Sequence, residues 1–578
     1  MTATDSPLSN ILATRVAEWA AARPDEDAFT ELRFRMQEHV PVTLTYASLH
    51  AAAGTLAARL RQESVPGDRV AILCAHGIDY AVAFLACLYS NRVAVPLFPA
   101  TGERNRERLQ AVLADTRPAL TLLSAHDEVS APTLGQATGR LLVLPPDVTV
   151  SVADAVEPVI DPVCDDLAYL QYTSGSTKSP TGVRVTHANL ATALVQLRHA
   201  LSAARDRPIV TWLPFFHDMG LIFGLSLPLS LGVHGVTLAP AEFVKRPIRW
   251  LRAIGDYRAG LTGCPSFGLT LAVSGTTPEE RTGLDLSGLA ILLNGAEPVR
   301  ADALNEFTRI FGPYGFRHHA HTPGFGLAEA TLTVTLCDQR DEPVGHYFER
   351  GALAEGRVVA MPTSDAAEIQ DGVPLVGCGT PAGQAVRVVD PIARTVLPPG
   401  RVGEIWVMGS NVCDGYFGRP DATEETFGAT LACGGGRWLR TGDLGFQHEG
   451  QLYLAGRRKD VIVVDGRNHY PADIEMTVEA CAREIRPGHV TVFGHDDGRR
   501  EDLVVVAEIT TAVDTEPAEL FVLARRIRTA VATTHEVMPG AVMLVEPGRI
   551  PKTSSGKLRR GECRARYLAG RLRPVAMI

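Results

Sequence analysis

The chain has 578 residues, enough for several domains and a large buried core. At 46% hydrophobic and 21% charged it is not a disordered, collagen-like or coiled-coil sequence. Its net charge of −9 lacks the electrostatic footprint of a nucleic-acid binder.

Helical and strand patterns alternate in the first half. Tyr46–Arg61 carries Leu49, Leu56 and Leu60 at helical spacing, and Pro66-Gly67-Asp68 then turns the chain. Val70–Cys74 reads as a short strand, Ile78–Tyr89 as a buried helix and Val93–Leu97 as a further strand. Such alternation predicts a doubly wound, largely parallel α/β sheet. The most apolar stretch, Met219–Val233, is interrupted by glycine and Pro228 and is too short to span a bilayer. After about residue 379 the pattern changes to short strands, Ala385–Val389, Val402–Met408 and Gln451–Leu454, which predict a small β subdomain. Beyond the charged stretch Gly456–Asp460 come strands His489–Phe493 and Leu503–Ile509, a helix over Pro517–Thr533 and strand Ala541–Val545. These predict an N-terminal domain over 1–455 and a small α+β domain over 456–578.

The ten cysteines are scattered and no CxxC occurs, so no zinc site of the usual spacing is expected. Sparse cysteines and a start, MTATDSPLSN, without basic and apolar leader regions predict a cytoplasmic protein with reduced thiols. Only five residues are lysine: 178, 245, 459, 552 and 557. Arginine therefore fills the generic surface role, and a lysine inside a motif carries extra weight.

Strand candidate Leu167–Gln171 runs into YTSGSTKSPTGV (Tyr172–Val183). A loop dense in Ser, Thr and Gly after a strand suits phosphate, because successive N–H groups and hydroxyls can face the anion. It is not a Walker loop. Alone it could equally be a polar turn. Its wording resembles the phosphate loop of the adenylate-forming superfamily, in the branch of the fatty acyl-AMP ligases. The usual loop lysine is replaced by Thr181, and Lys178 offers a partial substitute.

The resemblance extends over nearly the whole chain and implies the fold and the site. It implies a large N-terminal domain with doubly wound sheets and a β subdomain, and a small mobile C-terminal domain. Thr173, Ser174, Gly175, Ser176 and Thr177 would hold the ATP phosphates. NGAEPV resembles the segment lining the adenine pocket, which assigns Gly295, Ala296 and Glu297. PGFGLAEATL assigns Phe325 and Gly326 to adenine and Glu329 to Mg2+, a cation that needs few protein carboxylates. RTGDLG assigns Asp443 to the ribose hydroxyls, with Arg457 reaching the same sugar. Lys459 falls at the hinge. IPKTSSGKLRR supplies Lys557, which would bridge the acid's carboxylate and the α-phosphate. LPFFHDMGL places His217 beside the reacting carboxylate. The cluster His318, His319 and His321 reads instead as structural.

Three features resemble the acyl-AMP branch rather than coenzyme A ligases: the altered loop, the GRNHYPADIE wording (Gly466–Glu475) and an insertion near 345–375. The implied reaction is ATP- and Mg2+-dependent activation of a fatty acid to acyl-AMP. Transfer to the phosphopantetheine thiol of a separate acyl carrier protein would follow. Alternatives are an acyl- or aryl-coenzyme A ligase, an enzyme of this type that adenylates a non-fatty acid, or an inactive nucleotide-binding protein. CPSFGLTLAV (Cys264–Val273), where the acyl pocket is expected, departs from fatty-chain wording and leaves the acid open.

Overall fold

The computed structural model describes residues 11–35, 38–98, 103–125, 139–145, 164–172, 180–362, 371–464, 466–496, 501–510, 517–553 and 557–578. Two large sheets form the body of the chain. In the first, Arg140–Val143, Leu120–Leu123, Arg69–Ile72, Val93–Pro96 and Leu167–Tyr172 lie side by side in parallel, and Gly182–Thr186 closes the edge antiparallel. The second has nine strands around a parallel centre: His321–Leu327, Ile291–Asn294, Leu261–Gly263, Ile209–Thr211, Gly235–Leu238 and Asp27–Arg35. The strand Glu38–Thr45 on its edge was not anticipated from sequence; its pattern is mostly exposed, so it lacks the alternation that marks a half-buried strand.

Helix Ile78–Tyr89 is buried on every side except at Asp79. An all-round apolar helix needs cover on all faces. It packs within the main core together with residues of both sheets, such as Phe29, Val70 and Tyr169. Helix Tyr46–Glu63 starts where the Thr45 side chain accepts from the Ser48 N–H, and buries Leu49, Leu56 and Leu60. Helix His187–Ala200 starts with a reciprocal capping box between Thr186 and Asn189. The Asn189 amide also donates to the carbonyls of Ser410 and Val412, tying this helix to the β subdomain.

The apolar stretch Met219–Val233 folds as a π-helix, Met219–Ser226, running into helix Leu227–Leu231. A Cβ on Gly220 would lie 2.1 Å from the Pro214 carbonyl oxygen, so only glycine permits this wide first turn. π-turns are frequent at functional sites. Among the described residues no helix is long and apolar enough to cross a membrane.

The β subdomain is the four-stranded sheet Ala385–Val389, Gly403–Met408, Leu439–His448 and Gln451–Arg457. The last four-stranded sheet, Ile485–Asp496, Glu501–Ile509, Ala541–Val545 and Ala576–Met577, carries helices Pro471–Cys481 and Pro517–His535. Two hydrophobic clusters in this region draw only on residues from 462 onward. All ten cysteines are free.

Candidate functional site

Four neighbouring parallel strands end on the same side of the nine-stranded sheet, and the segments after them carry part of the expected site. Crevices at the carboxyl ends of parallel strands are where such sheets bind ligands. Ile209–Thr211 leads to His217 and Asp218, and Leu261–Gly263 to Cys264 and Ser266. Ile291–Asn294 leads to Gly295, Ala296 and Glu297, and His321–Leu327 to Glu329.

These segments are cross-linked. The Asn294 side-chain amide donates to the Cys264 carbonyl at 3.2 Å. The Phe267 N–H donates to Glu297 Oε1 at 2.7 Å. Ser266 Oγ accepts from the Arg300 N–H and donates to the Pro298 carbonyl. Ala296 takes φ +69°, and a Cβ on Gly295 would stand 3.2 Å from the Gly324 carbonyl oxygen. Gly326 has a stricter reason to be glycine: a Cβ there would lie 1.7 Å from the Leu332 carbonyl oxygen. Phe325, beside it, is buried against the main core.

Glu329 sits in the short 3₁₀ turn Ala328–Ala330. Tyr416 donates its hydroxyl to Glu329 Oε1 at 2.9 Å. Burial pushes the Glu329 carboxyl above its ordinary range; Arg457 works against this, while Asp218 adds to it. Asp443 and Arg457 face each other across the antiparallel pair of the β subdomain. Arg457 Nε donates to Asp443 Oδ1 at 3.1 Å. Burial raises the Asp443 carboxyl, opposed by Arg457, Lys459 and Lys557.

His217 Nδ1 lies 2.6 Å from Asp218 Oδ1, and that oxygen also accepts from the Met219 N–H at 2.7 Å. Burial alone would raise the Asp218 carboxyl. The His217 ring, Lys557 and the Met219 N–H overcome it and bring the group down to about 2. Lys557 is braced by its own turn: its N–H donates to Thr553 Oγ1, and its carbonyl accepts from the Thr553 N–H. Burial pushes the Lys557 ammonium below its ordinary range, and Arg457 adds to that; Asp218, Glu297 and Asp443 act the other way. A cation from near the end of the chain thus sits among carboxylates from three separate segments. Lys459, in the 3₁₀ turn Arg458–Asp460, is lowered by burial and by Arg457.

Thr173, Ser174, Gly175, Ser176 and Thr177, with Lys178, lie outside the described residues. Their flanks are fixed. Tyr172 pairs with Gly182 across an antiparallel hairpin, and Gln171 donates to the Phe216 carbonyl just before His217. Among the expected histidines, His321 is buried, its Nδ1 3.2 Å from Asn294 Oδ1 and its Nε2 3.2 Å from the Leu304 carbonyl. His318 Nδ1 meets Thr308 Oγ1 at 2.9 Å. Both are satisfied structural residues.

Two residues escaped the sequence reading. Asp218 left a signal, a polar pair with His217 inside an apolar run. Tyr416 left none, because its partner Glu329 is 87 positions away.

The insertion forms its own three-stranded sheet, Ala360–Met361, Gly345–Glu349 and Gly372–Val376. Phe348, Leu353 and Val373 build a small core with Phe446 and Tyr453 of the β subdomain and with Tyr470. Arg350 donates to both oxygens of Asp473, at 2.7 and 3.1 Å, and to the Gly372 carbonyl. The Tyr470 hydroxyl donates to the Leu353 carbonyl at 3.4 Å.

Comparison with known proteins gives concordant results. A family model described as AMP-binding enzyme matches residues 16–417, and one described as the AMP domain of Disco-interacting protein 2-like proteins matches 459–577. The long-chain-fatty-acid–AMP ligase FadD32 of Mycolicibacterium smegmatis is 38% identical over 98% of this chain and 96% of its own length. The 4-hydroxyphenylalkanoate adenylyltransferase of Mycobacterium marinum is 39% identical over 91% of this chain and 86% of its own. A solved fatty acyl-adenylate ligase of Legionella pneumophila, in complex with acyl adenylate and pyrophosphate, aligns with a TM-score of 0.75 at 32% identity over 98% of both chains. A structure from a study of the fatty acyl-adenylate ligases of E. coli and L. pneumophila aligns with a TM-score of 0.85 at 29% identity, over 97% of this chain and 98% of that one. The chain belongs to the AMP-binding enzyme family, and within it to the fatty acyl-AMP ligases.

Proposed function

We propose that this ligase converts a long-chain fatty acid and ATP to acyl-AMP and pyrophosphate, and then passes the acyl group to the phosphopantetheine thiol of a separate acyl carrier protein. The observation that carries the reading is the seat of Lys557 among Asp218, Glu297 and Asp443. In the first step the acid's carboxylate attacks the α-phosphorus and pyrophosphate leaves. Two anions must approach, and charge spreads over the phosphoryl oxygens in the transition state. A cation held in a partly water-excluded place lowers that barrier. Lys557 has this role. The Asp218 carboxylate, kept ionised, orients the His217 ring beside the reacting carboxylate.

Asp443 accepts the ribose hydroxyls, and Arg457 holds its carboxylate in place. Gly295, Ala296, Glu297, Phe325 and Gly326 frame the adenine, and Thr173–Thr177 take the phosphates. Glu329 fits a divalent cation. It is a hard oxygen donor, and its raised carboxyl reports a buried charge that a cation would stabilise. Mg2+ there would neutralise phosphate charge. For the second step we take residues 456–578 as the moving unit and Lys459 as its hinge. The insertion, docked through Arg350 and Tyr470, favours the acyl-AMP product over coenzyme A transfer.

A second reading keeps the chemistry and changes the acid to an arylalkanoate. Trp212 stacks on Phe243 at 3.9 Å and meets Phe267 edge-on, and a Cβ on Gly268 would fall 2.9 Å from the Trp212 ring. These aromatics lie beside the segment where the acyl chain is expected. The test of both readings is product analysis by mass spectrometry with ATP, Mg2+ and a panel of fatty and arylalkanoic acids, each with coenzyme A, with holo-acyl carrier protein, or with neither. Accumulating acyl-AMP that discharges only onto the carrier supports the proposal. Ready acyl-coenzyme A formation overturns it, and the preferred acid decides between the two readings.

A further inference from the structure

Two histidines and a glutamate meet where the insertion touches the β subdomain. His346 lies in the inserted strand Gly345–Glu349, and His448 ends the strand Leu439–His448. Glu449 follows in the turn, at φ +48°. One ligand atom from each falls within 4.8 Å of the others; among the described residues no other three His, Cys, Asp or Glu side chains come together in this way. Glu449 Oε2 is 3.7 Å from His346 Nε2, and its Oε1 is 3.8 Å from His448 Nε2. Each carboxylate oxygen therefore addresses a different imidazole.

The imidazoles are held by packing. The His346 ring stacks on Phe348 (22° between planes) and sits edge-on to His448 with centroids 5.1 Å apart. Phe348 meets His448 edge-on at 5.3 Å, and Tyr453 packs against both imidazoles. Phe348 and Tyr453 are fully buried, so both rings rest on a rigid aromatic floor. Such support is what a metal ligand needs to keep its geometry. Glu449 is 67% exposed and has room to close on an ion.

We propose that His346, His448 and Glu449 form a site for a divalent transition metal of the zinc class. Two imidazole nitrogens and one carboxylate suit Zn2+, Co2+ or Ni2+, whereas Mg2+ and Ca2+ prefer all-oxygen shells. Tetrahedral Zn2+ with bonds of about 2.0–2.1 Å separates its ligand atoms by roughly 3.4 Å, against a present spacing of at most 4.8 Å. Water would complete the shell on the open side. The ion would join the insertion to the tip of the hairpin that also carries Asp443 and Arg457. His448 is five residues along the strand from Asp443, roughly 17 Å, so the site is separate from the nucleotide machinery.

The test is titration of the full chain with ZnCl2 by calorimetry, in a Cys433→Ser background because Cys433 is an exposed thiol. The expected result is one equivalent bound with a Kd of about 10 µM or tighter. Affinity should fall tenfold or more, an order-of-magnitude expectation for lost ligation, in His448→Ala and in Glu449→Gln. Co2+ should give the visible absorption of a low-coordinate nitrogen–oxygen site, and the melting temperature should climb with the logarithm of free Zn2+. Acyl-AMP formation at fixed Mg2+ should be unchanged in Glu449→Gln, which keeps this result apart from the adenylation reading. No saturable Zn2+ uptake, or uptake with the same affinity in both variants, would overturn the proposal and leave the trio as a packed cluster of two imidazoles and a carboxylate.

Discussion

Arg350 grips Asp473 at two points across 123 positions of sequence, joining the insertion to the helix Pro471–Cys481. Their side chains are only 15% and 8% exposed, so the pair is largely withdrawn from water. Removing one partner of such a pair leaves the other charge buried, which costs about 3–5 kcal/mol. Arg350→Ala is therefore expected to lower the melting temperature. If the clasp also restrains the C-terminal unit, the variant should form acyl-coenzyme A that the wild type does not. A lower melting temperature with no acyl-coenzyme A would mean that the pair is structural only.

Lys557→Ala is expected to slow acyl-AMP formation by ~10² or more, as loss of a transition-state charge contact does. Lys557→Arg should recover little, because a fork of donors does not reproduce a point charge. ATP–pyrophosphate exchange at saturating acid reads the effect directly. Exchange at near the wild-type rate would remove Lys557 from the chemistry.

How far the sequence reaches depends on whether partners lie close along the chain. Lys557, Asp443 and Glu329 stand inside contiguous motifs, so the resemblance assigns their roles from wording alone. Asp443 and Arg457 are also legible as a pair, since one hairpin brings them face to face. The Tyr416 bond to Glu329 and the Arg350 bond to Asp473 are made by tertiary packing and leave no local pattern. Met219–Val233 reads simply as apolar. Its π-turn follows from the close approach of Gly220 to the Pro214 carbonyl, which hydrophobic periodicity does not encode.

Glu329→Gln keeps the shape of the side chain and a group able to accept from Tyr416, but removes the charge. The expected result is a Mg2+ requirement shifted to concentrations about tenfold higher or more, with the KM for the acid little changed. A titration of initial rate against Mg2+ at fixed ATP checks it. An unchanged Mg2+ dependence would place the metal elsewhere.

Gly326→Ala sets a Cβ against the Leu332 carbonyl, and both strands of that hairpin are backbone that cannot rotate away. The strain should lower the melting temperature and raise the KM for ATP while leaving the KM for the acid near its wild-type value. Equal loss for both substrates would indicate general unfolding rather than a distorted adenine segment.

Acid should destabilise the fold through its buried histidines. His535 packs at the end of helix Pro517–His535, its Nδ1 3.5 Å from Asp473 Oδ2 and its Nε2 2.8 Å from Thr477 Oγ1. Burial lowers this imidazole to about 4; Asp473 opposes the shift, and Arg350 and His469 add to it. Burial likewise lowers His76 and His321 to about 3 and His187 to about 4. At these four imidazoles the unfolded chain, titrating near 6.5, binds more protons than the folded one between about pH 4 and 6.5. Their contribution to stability is therefore level above pH 6.5 and falls as the pH drops toward 4, while the raised carboxyls of Glu329 and Asp443 oppose the decline. Each shift of this size is worth on the order of 3 kcal/mol once the window is crossed. Melting temperatures measured from pH 7.5 to 4.5 should decline below pH 6.5, and His535→Gln should flatten part of that decline. An unchanged slope in the variant would mean that His535 takes up its proton in the folded protein without resistance.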